Sequence, residues 1–333
     1  MNKTLQDIAY SILDLVPITE GSDANTSFKH SADLAQHAEN WGYKRYWLAE
    51  HHNKPGIASS ATSILIGHIA ANTSKIRVGS GGIMLPNHAP LVVAEQFGTL
   101  ETLFPGRIDL GLGRAPGTDQ LTAYALRRNV TSDGHDFPEQ VAELRAYFSP
   151  ENMKVNAIPG RGLQIPTWLL GSSGYSAQLA AQLGLPFAFA NHFSPENTLP
   201  ALALYRNNFK PSSILQEPYV MIGTNIIAAD TDEEAEKRST SLLQHHLGLI
   251  RNQQVPLQPP VDDMDALCSS YEKSMLQQKL AGSIIGSRET VKTKLEKFVE
   301  ETQTDEIIIN SQIFDHQARL QSYKIVADII RNA

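Results

Sequence analysis

Residues 76–117, IRVGSGGIMLPNHAPLVVAEQFGTLETLFPGRIDLGLGRAPG, constrain this chain more than any other stretch. Ile76, Val78 and the small residues from Gly79 to Gly82 predict a buried strand that ends in backbone approached closely by a neighbour. Pro90 suits a first helical turn. Val93, Phe97, Leu100 and Phe104 recur at helical spacing, and Phe104-Pro105-Gly106-Arg107 turns the chain. Ile108, Leu110 and Leu112 then begin a second strand, which ends in Gly111-Leu112-Gly113-Arg114-Ala115-Pro116-Gly117. The stretch is a βαβ unit whose two strands both carry their unusual residues at the carboxyl end. In a barrel of βα units, sites are built at that end.

Strand and helix signals alternate along the rest of the chain. Apolar runs predict strand one over 9–15, strand two over 43–48, strand five over 167–170, strand six over 186–190, strand seven over 219–229 and strand eight over 306–309. The βαβ unit supplies strands three and four. Helices are expected over 26–41, capped by Thr26 or Ser27 and closed by Gly42, and over 59–71, 176–183 (closed by Gly184), 196–209 and 288–300. Thr231-Asp232-Glu233-Glu234 reads as a capping box that opens another. Residues 118–147 read as two helical pieces broken around 131–138, and 153–166 as a small hairpin. Such alternation means parallel pairing with right-handed crossovers. Eight repeats favour an α/β fold of the TIM (β/α)8 barrel type over an open doubly wound sheet. Residues 1–333 would form one such domain, with an insertion between strand seven and strand eight at 247–286. That segment carries Pro256, Pro259, Pro260 and an acidic VDDMD. It reads either as a lid-like functional element or as a surface excursion that covers the barrel.

At 333 residues, 41% of them hydrophobic, the chain can bury a core of that size. A net charge of −7 without a basic block argues against a nucleic-acid partner. No run approaches the roughly 20 apolar residues that a spanning helix needs. The start, MNKTLQDIAYSILDL, lacks a signal-peptide core. The expected setting is therefore soluble and cytoplasmic, with no membrane partner. Cys268 is the only cysteine, so no internal disulfide framework exists. Nothing electropositive lies near it in sequence to activate it.

Three constellations fall at strand ends. After strand two comes Glu50-His51-His52-Asn53, where a histidine base with an orienting carboxylate is possible. Adjacent histidines on extended chain point to opposite sides, which disfavours a shared metal. The structural alternative is one histidine bonded in the barrel mouth and one solvated. After strand three comes Gly81-Gly82-Ile83, where missing side chains let a flat ring lie on the backbone, or where the chain simply bulges. After strand five, Gly171-Ser172-Ser173-Gly174-Tyr175-Ser176 opens a helix. Its free N–H groups, dipole and hydroxyls outline a phosphate site, or an ordinary cap. Arg114 can add the full charge that a phosphate prefers, or serve as a surface ion-pair residue. No Walker-type loop is present, and the glycines of GLGRAPG are misplaced for the dinucleotide fingerprint.

The segments WLAEHH, VGSGGIMLPNHAP, PGRIDLGLGRAPG and LLGSSGYSAQLAAQLGLPFAFA, in this order, resemble the bacterial luciferase-like monooxygenases, flavin-dependent TIM-barrel enzymes. The resemblance covers nearly the whole chain and is greatest to the single-chain luciferase-like oxidoreductases. It implies an FMN-dependent monooxygenase that receives reduced FMN from a separate flavin reductase and uses dioxygen on a small-molecule substrate. A homodimer is implied, and no metal. His51 would lie beside the flavin and assist proton transfer. Gly81, Gly82 and the adjoining Ile83 would form the strand-three site under the isoalloxazine, where the family often has a non-proline cis peptide. Ser173 and Ser176, with Ser172, Gly174 and Tyr175 around them, would hold the flavin phosphate, together with Arg114. Two departures stand out. A further phosphate arginine of the luciferases is replaced by the stretch Asp136-Phe137-Pro138-Glu139-Gln140, and their reactive cysteine before Arg114 is Gly113. The family also includes deazaflavin-dependent hydride-transfer enzymes and non-catalytic flavin-binding proteins, which stand as alternatives. His51 and Arg114 argue against the second.

Overall fold

A computed structural model describes residues 3–115, 117–126, 136–151 and 153–333. Its strands are β1 (Ala9–Asp14), β2 (Arg45–Leu48), β3 (Arg77–Ser80), β4 (Ile83–Met84), β5 (Ile108–Gly113), β6 (Thr167–Gly171), β7 (Phe187–Ala190), β8 (Val220–Ala229), β9 (Ile284–Ser287) and β10 (Glu306–Asn310). Its helices are α1 (Ala24–Asn40), α2 (Thr62–Ala71), α3 (Pro90–Leu103), α4 (Gln120–Leu126), α5 (Phe137–Tyr147), α6 (Gly174–Leu183), α7 (Thr198–Asn208), α8 (Asp232–Ile250), α9 (Ser270–Leu280), α10 (Arg288–Thr302) and α11 (His316–Arg331). Eight strands close a parallel ring in the order β1-β2-β3-β5-β6-β7-β8-β10, with β10 returning to β1. This is the expected TIM barrel. Among the described residues no helix is long and apolar enough to cross a membrane.

The period-two alternation of the strands sorts side chains between two compartments. Tyr10, Ile12, Tyr46, Leu48 and Val78 face outward and pack against the helices in the main core. Leu13, Trp47, Trp168, Ala188, Met221 and Ile308 face inward and form a separate interior cluster. Register keeps this inward set together: Leu13 lies beside Trp47, Leu170 beside Ala188, and Ile308 beside Gly223. At the amino-terminal end the interior is polar, and its charged groups are paired. Arg45 Nη1 donates to Asp109 Oδ2 at 2.7 Å and its Nε to Glu306 Oε1 at 3.0 Å. Arg77 Nη2 donates to Asp109 Oδ1 at 2.7 Å, and Trp47 Nε1 to Asp109 Oδ2 at 3.2 Å. The Arg45 guanidinium lies 4.8 Å from the Trp168 ring centroid. Buried charges persist only when paired in this way.

Several expectations need correction. Helix α1 is capped by Asp23, whose carboxylate accepts from the Thr26 N–H at 2.8 Å, and the Ser27 hydroxyl instead donates to the Pro17 carbonyl. Thr231 caps α8, but Glu234 does not complete a capping box, because its carboxylate pairs with Arg238. Residues 153–166 form turns, not a hairpin; Pro159 has no N–H to give a ladder, and the turns close through bonds such as Arg161 N–H to the Ala157 carbonyl. The insertion after strand seven holds a helix, α9, and a strand, β9. Strand β8 outruns the barrel, and its outer half offers an edge on which Ile226 pairs with Ile284 and Ala229 with Ser287. Glycine closures hold as expected: Gly42 and Gly184 adopt φ of +84° and +61° after α1 and α6. Most of the break expected at 131–138 lies outside the described residues.

Candidate active site

The inward row nearest the carboxyl end is where the barrel stops being filled. Leu13, Trp47, Leu170 and Ile308 are large, but Gly81, Gly113, Ala188 and Gly223 supply almost no side chain. TIM barrels ordinarily pack this layer with branched residues. Here the small residues hollow it into a cleft, with Met84 and Phe189 on its walls. One end of the cleft is polar. Ser172, Ser173, Ser176 and Arg114 line it. Ser173 occupies the N-cap position of α6 in extended conformation, yet its hydroxyl makes no capping bond. The first amides of α6 therefore point at the cleft without intrahelical partners. The Arg114 guanidinium stacks 4.2 Å from the Tyr175 ring centroid. It meets no carboxylate among the described residues.

Not every residue expected at the site lines the cleft. Gly81 does, and the Gly81–Gly82 peptide is cis. Gly82 faces the neighbouring strand: a Cβ there would lie 2.7 Å from the Gly111 carbonyl oxygen. Ile83 pairs with Leu112 and is buried in the main core. Gly174 and Tyr175 contribute backbone and the aromatic shelf for Arg114, not cleft wall.

His51 sits where this cleft opens into a second chamber, and both share Leu15, His192 and Phe193. Burial pushes its imidazole below the usual histidine range; the Gly117 carbonyl opposes this, and the Lys54 charge adds to it. Its Nδ1 lies 3.4 Å from that carbonyl. A proton on Nδ1 leaves Nε2 as the acceptor. Alternation separates His52 from it, as expected. The Glu50 carboxylate accepts from His52 Nε2 and His88 Nε2, each at 2.9 Å, and from the Met84 N–H. Burial alone would raise Glu50, but these bonds outweigh it and hold it at about 2. Glu50 thus anchors loops and does not orient His51.

The chamber holds three histidines that sequence reasoning passed over. His192 follows β7 and donates through Nδ1 to the Gly223 carbonyl at 2.9 Å. Its place just beyond a barrel strand was the available signal. His245 and His246 come from the far end of α8, which leans over the mouth. Burial lowers both to about 4. Among the described residues no three side chains converge to hold a metal ion. Because the folded pKa values of His245 and His246 lie below the unfolded value, the unfolded chain takes up protons first as pH falls from about 6.5 to 4. Stability should therefore be complete above that window and decline within it. Each histidine should cost up to about 2 kcal/mol by pH 5. Urea unfolding at pH 7 and pH 5 measures this, and His246→Gln should shrink the difference by up to about 2 kcal/mol. Equal pH dependence in both proteins would contradict the assignment.

Residues 8–306 match the family model for luciferase-like monooxygenases. A luciferase-like monooxygenase of Escherichia coli (strain K12) is 56% identical over 328 residues, covering 98% of each chain. The N-acetyl-S-alkylcysteine monooxygenase of Bacillus subtilis (strain 168) is 34% identical, covering 97% of this chain and 98% of its own. The crystal structure of apo-MsnO8 superposes with a TM-score of 0.89 at 33% identity, covering 98% of this chain and 99% of that one.

Proposed function

The chain belongs to the luciferase-like monooxygenase family, and we propose that its cleft binds FMN for oxidation of a small organic substrate by dioxygen. The observation that carries this reading is the convergence, at one end of an apolar cleft, of free serine hydroxyls, open helix amides and an arginine without a carboxylate partner among the described residues. That donor set fits a phosphate. The cleft continues past Gly81 and Trp47 to a neutral His51, and the flavin ring would lie between them. Reduced FMN, delivered by a separate reductase, would supply the activation of oxygen.

The chain's own residues do the rest. Ser173, Ser176 and Arg114 hold the phosphate. Leu13, Trp47 and Ile308 exclude water from the ring. Nε2 of His51 holds or releases a proton at the junction with the substrate chamber. The segment 247–286 closes that chamber: Gln253 and Val255 line it, and the segment is pinned to the barrel where the Leu257 N–H donates to Ile18 and its carbonyl accepts from Glu20. The active unit is one barrel domain, assembled as a homodimer. N-acetyl-S-alkylcysteines are the first substrates to assay, since a relative is named for them.

Titration tests the phosphate site. Losing a charged hydrogen bond costs roughly 1.5–3 kcal/mol, so Arg114→Ala should weaken FMN binding about tenfold or more. Riboflavin, which lacks the phosphate, should bind wild type and mutant alike. Equal loss of both ligands would sink the assignment. Absorbance and mass of any cofactor that copurifies distinguish FMN from a deazaflavin. Oxygenated product formed from reduced FMN and dioxygen, as opposed to hydrogen peroxide alone, distinguishes an oxygenase from a flavin carrier.

A further inference from the structure

Among the described residues, the chamber beside the flavin cleft has one lysine and no other cationic side chain but histidine in its wall. Lys54 lies three residues beyond His51 in the loop after β2 and is half-buried. Among the described residues its ammonium has no ion pair and no hydrogen bond. Among the described residues no Asp, Glu or Arg lines the chamber. The rest of the wall is apolar, as at Leu15, Ile57, Phe193 and Leu242, or neutral. The polar groups deepest in the barrel are engaged with each other: Asn310 Nδ2 donates to Asn225 Oδ1 at 2.9 Å. The Lys54 charge reaches inward, since it disfavours protonation of both His51 and His245.

Several surface lysines on this chain pair with acids. Lys237 meets Asp262, Lys273 meets Asp265 and Lys324 meets Asp328, each at 2.7 Å. Lys54 instead lines a recess without one among the described residues. An ammonium beside an apolar wall without a counter-charge offers an anion bound there a favourable partner. An apolar recess with a single cation at its edge selects one ligand type: an apolar body carrying one negative group.

We propose that the substrate is a monoanion of the carboxylate class whose charged group pairs with Lys54, while its apolar body lies against Ile57, Leu242 and Phe193 toward His51. The lysine sits on the opposite side of His51 from the Arg114 phosphate site, so the two cations serve different anions. The flavin phosphate belongs to Arg114 and the substrate carboxylate to Lys54. This assignment deepens the proposed function and rests on it for the word substrate. The anion preference of the chamber does not depend on the flavin.

Matched probes test it. Octanoate and octanamide share a chain and differ in charge. Their dissociation constants are measured by shifts of the histidine ring signals in NMR, with and without saturating FMN, for wild type, Lys54→Met and Lys54→Arg. Lys54 makes no contact that holds the fold, and circular dichroism verifies that each variant is folded. Wild type should prefer octanoate about tenfold or more. The preference should vanish in Lys54→Met and persist in Lys54→Arg. Equal binding of the two probes by wild type, binding of neither, or a preference that survives Lys54→Met overturns the proposal. Because Lys54→Met keeps Arg114, octanoate held at the phosphate site shows itself as a preference that survives. Failure of FMN to bind while the carboxylate preference depends on Lys54 overturns the cofactor reading alone.

Discussion

His51→Ala should lower the rate of substrate oxidation about 10²–10⁴-fold, the range typical of a positioned acid–base group, with FMN affinity little changed. The imidazole is kept neutral by burial and stands at the junction of cleft and chamber, where a proton must be managed between flavin and substrate. Among the described residues it makes one long hydrogen bond, to Gly117, so its removal should cost the fold little. His52→Ala should behave oppositely. Its imidazole bonds the buried Glu50 carboxylate, and losing that bond should lower stability while leaving turnover of the folded protein near wild type. The assay is product formation per oxygen consumed, with reduced FMN supplied by a reductase. If His52→Ala abolishes turnover and His51→Ala does not, the functional histidine has been misassigned. If neither changes it, this motif is structural only.

The second large effect concerns the barrel floor. Asp109→Ala should destabilise the protein by about 3–5 kcal/mol, the cost of removing one partner from a buried ion pair. Asp109 is fully buried and accepts from Arg45, Arg77 and Trp47. Without it, Arg45 keeps only Glu306, and Arg77 falls back on the Gly106 and Ile108 carbonyls. Trp47, whose other face forms part of the cleft, loses its anchor. Urea unfolding measures the loss. A change below about 1 kcal/mol would mean that the network relaxes around the gap. In that case the cleft floor is not held by these charges.

Much of this was legible in the chain. The βαβ unit of residues 76–117 required parallel strands, and eight such strands left a barrel as the economical closure. Alternation along strand two separated His51 from His52 without any structure, because extended chain must point neighbours apart. Ser173, Ser176 and Arg114, far apart in sequence, could be grouped because barrel strands end at one face. Other features were hidden for physical reasons. Which side of α8 turns toward the mouth depends on how the helix leans, so nothing in the sequence singled out His245 and His246. Glu50 could orient either of its neighbours in sequence, and only loop packing shows that it joins His52 to His88. The role of β9 depends on β8 outrunning the barrel, which local patterning cannot reveal. Gly82 looked like a place for a ring, whereas the Gly111 backbone of the next strand is what comes close to it.

A crystal structure of the protein with FMN tests the central claim most directly. The phosphate should lie within hydrogen-bond distance of Ser173 and Ser176, with the Arg114 guanidinium against it. The isoalloxazine should pass over Gly81 and Trp47 to end beside His51, leaving the Lys54 chamber open. FMN bound with its phosphate elsewhere, or no FMN in the cleft at saturating concentration, would contradict the account.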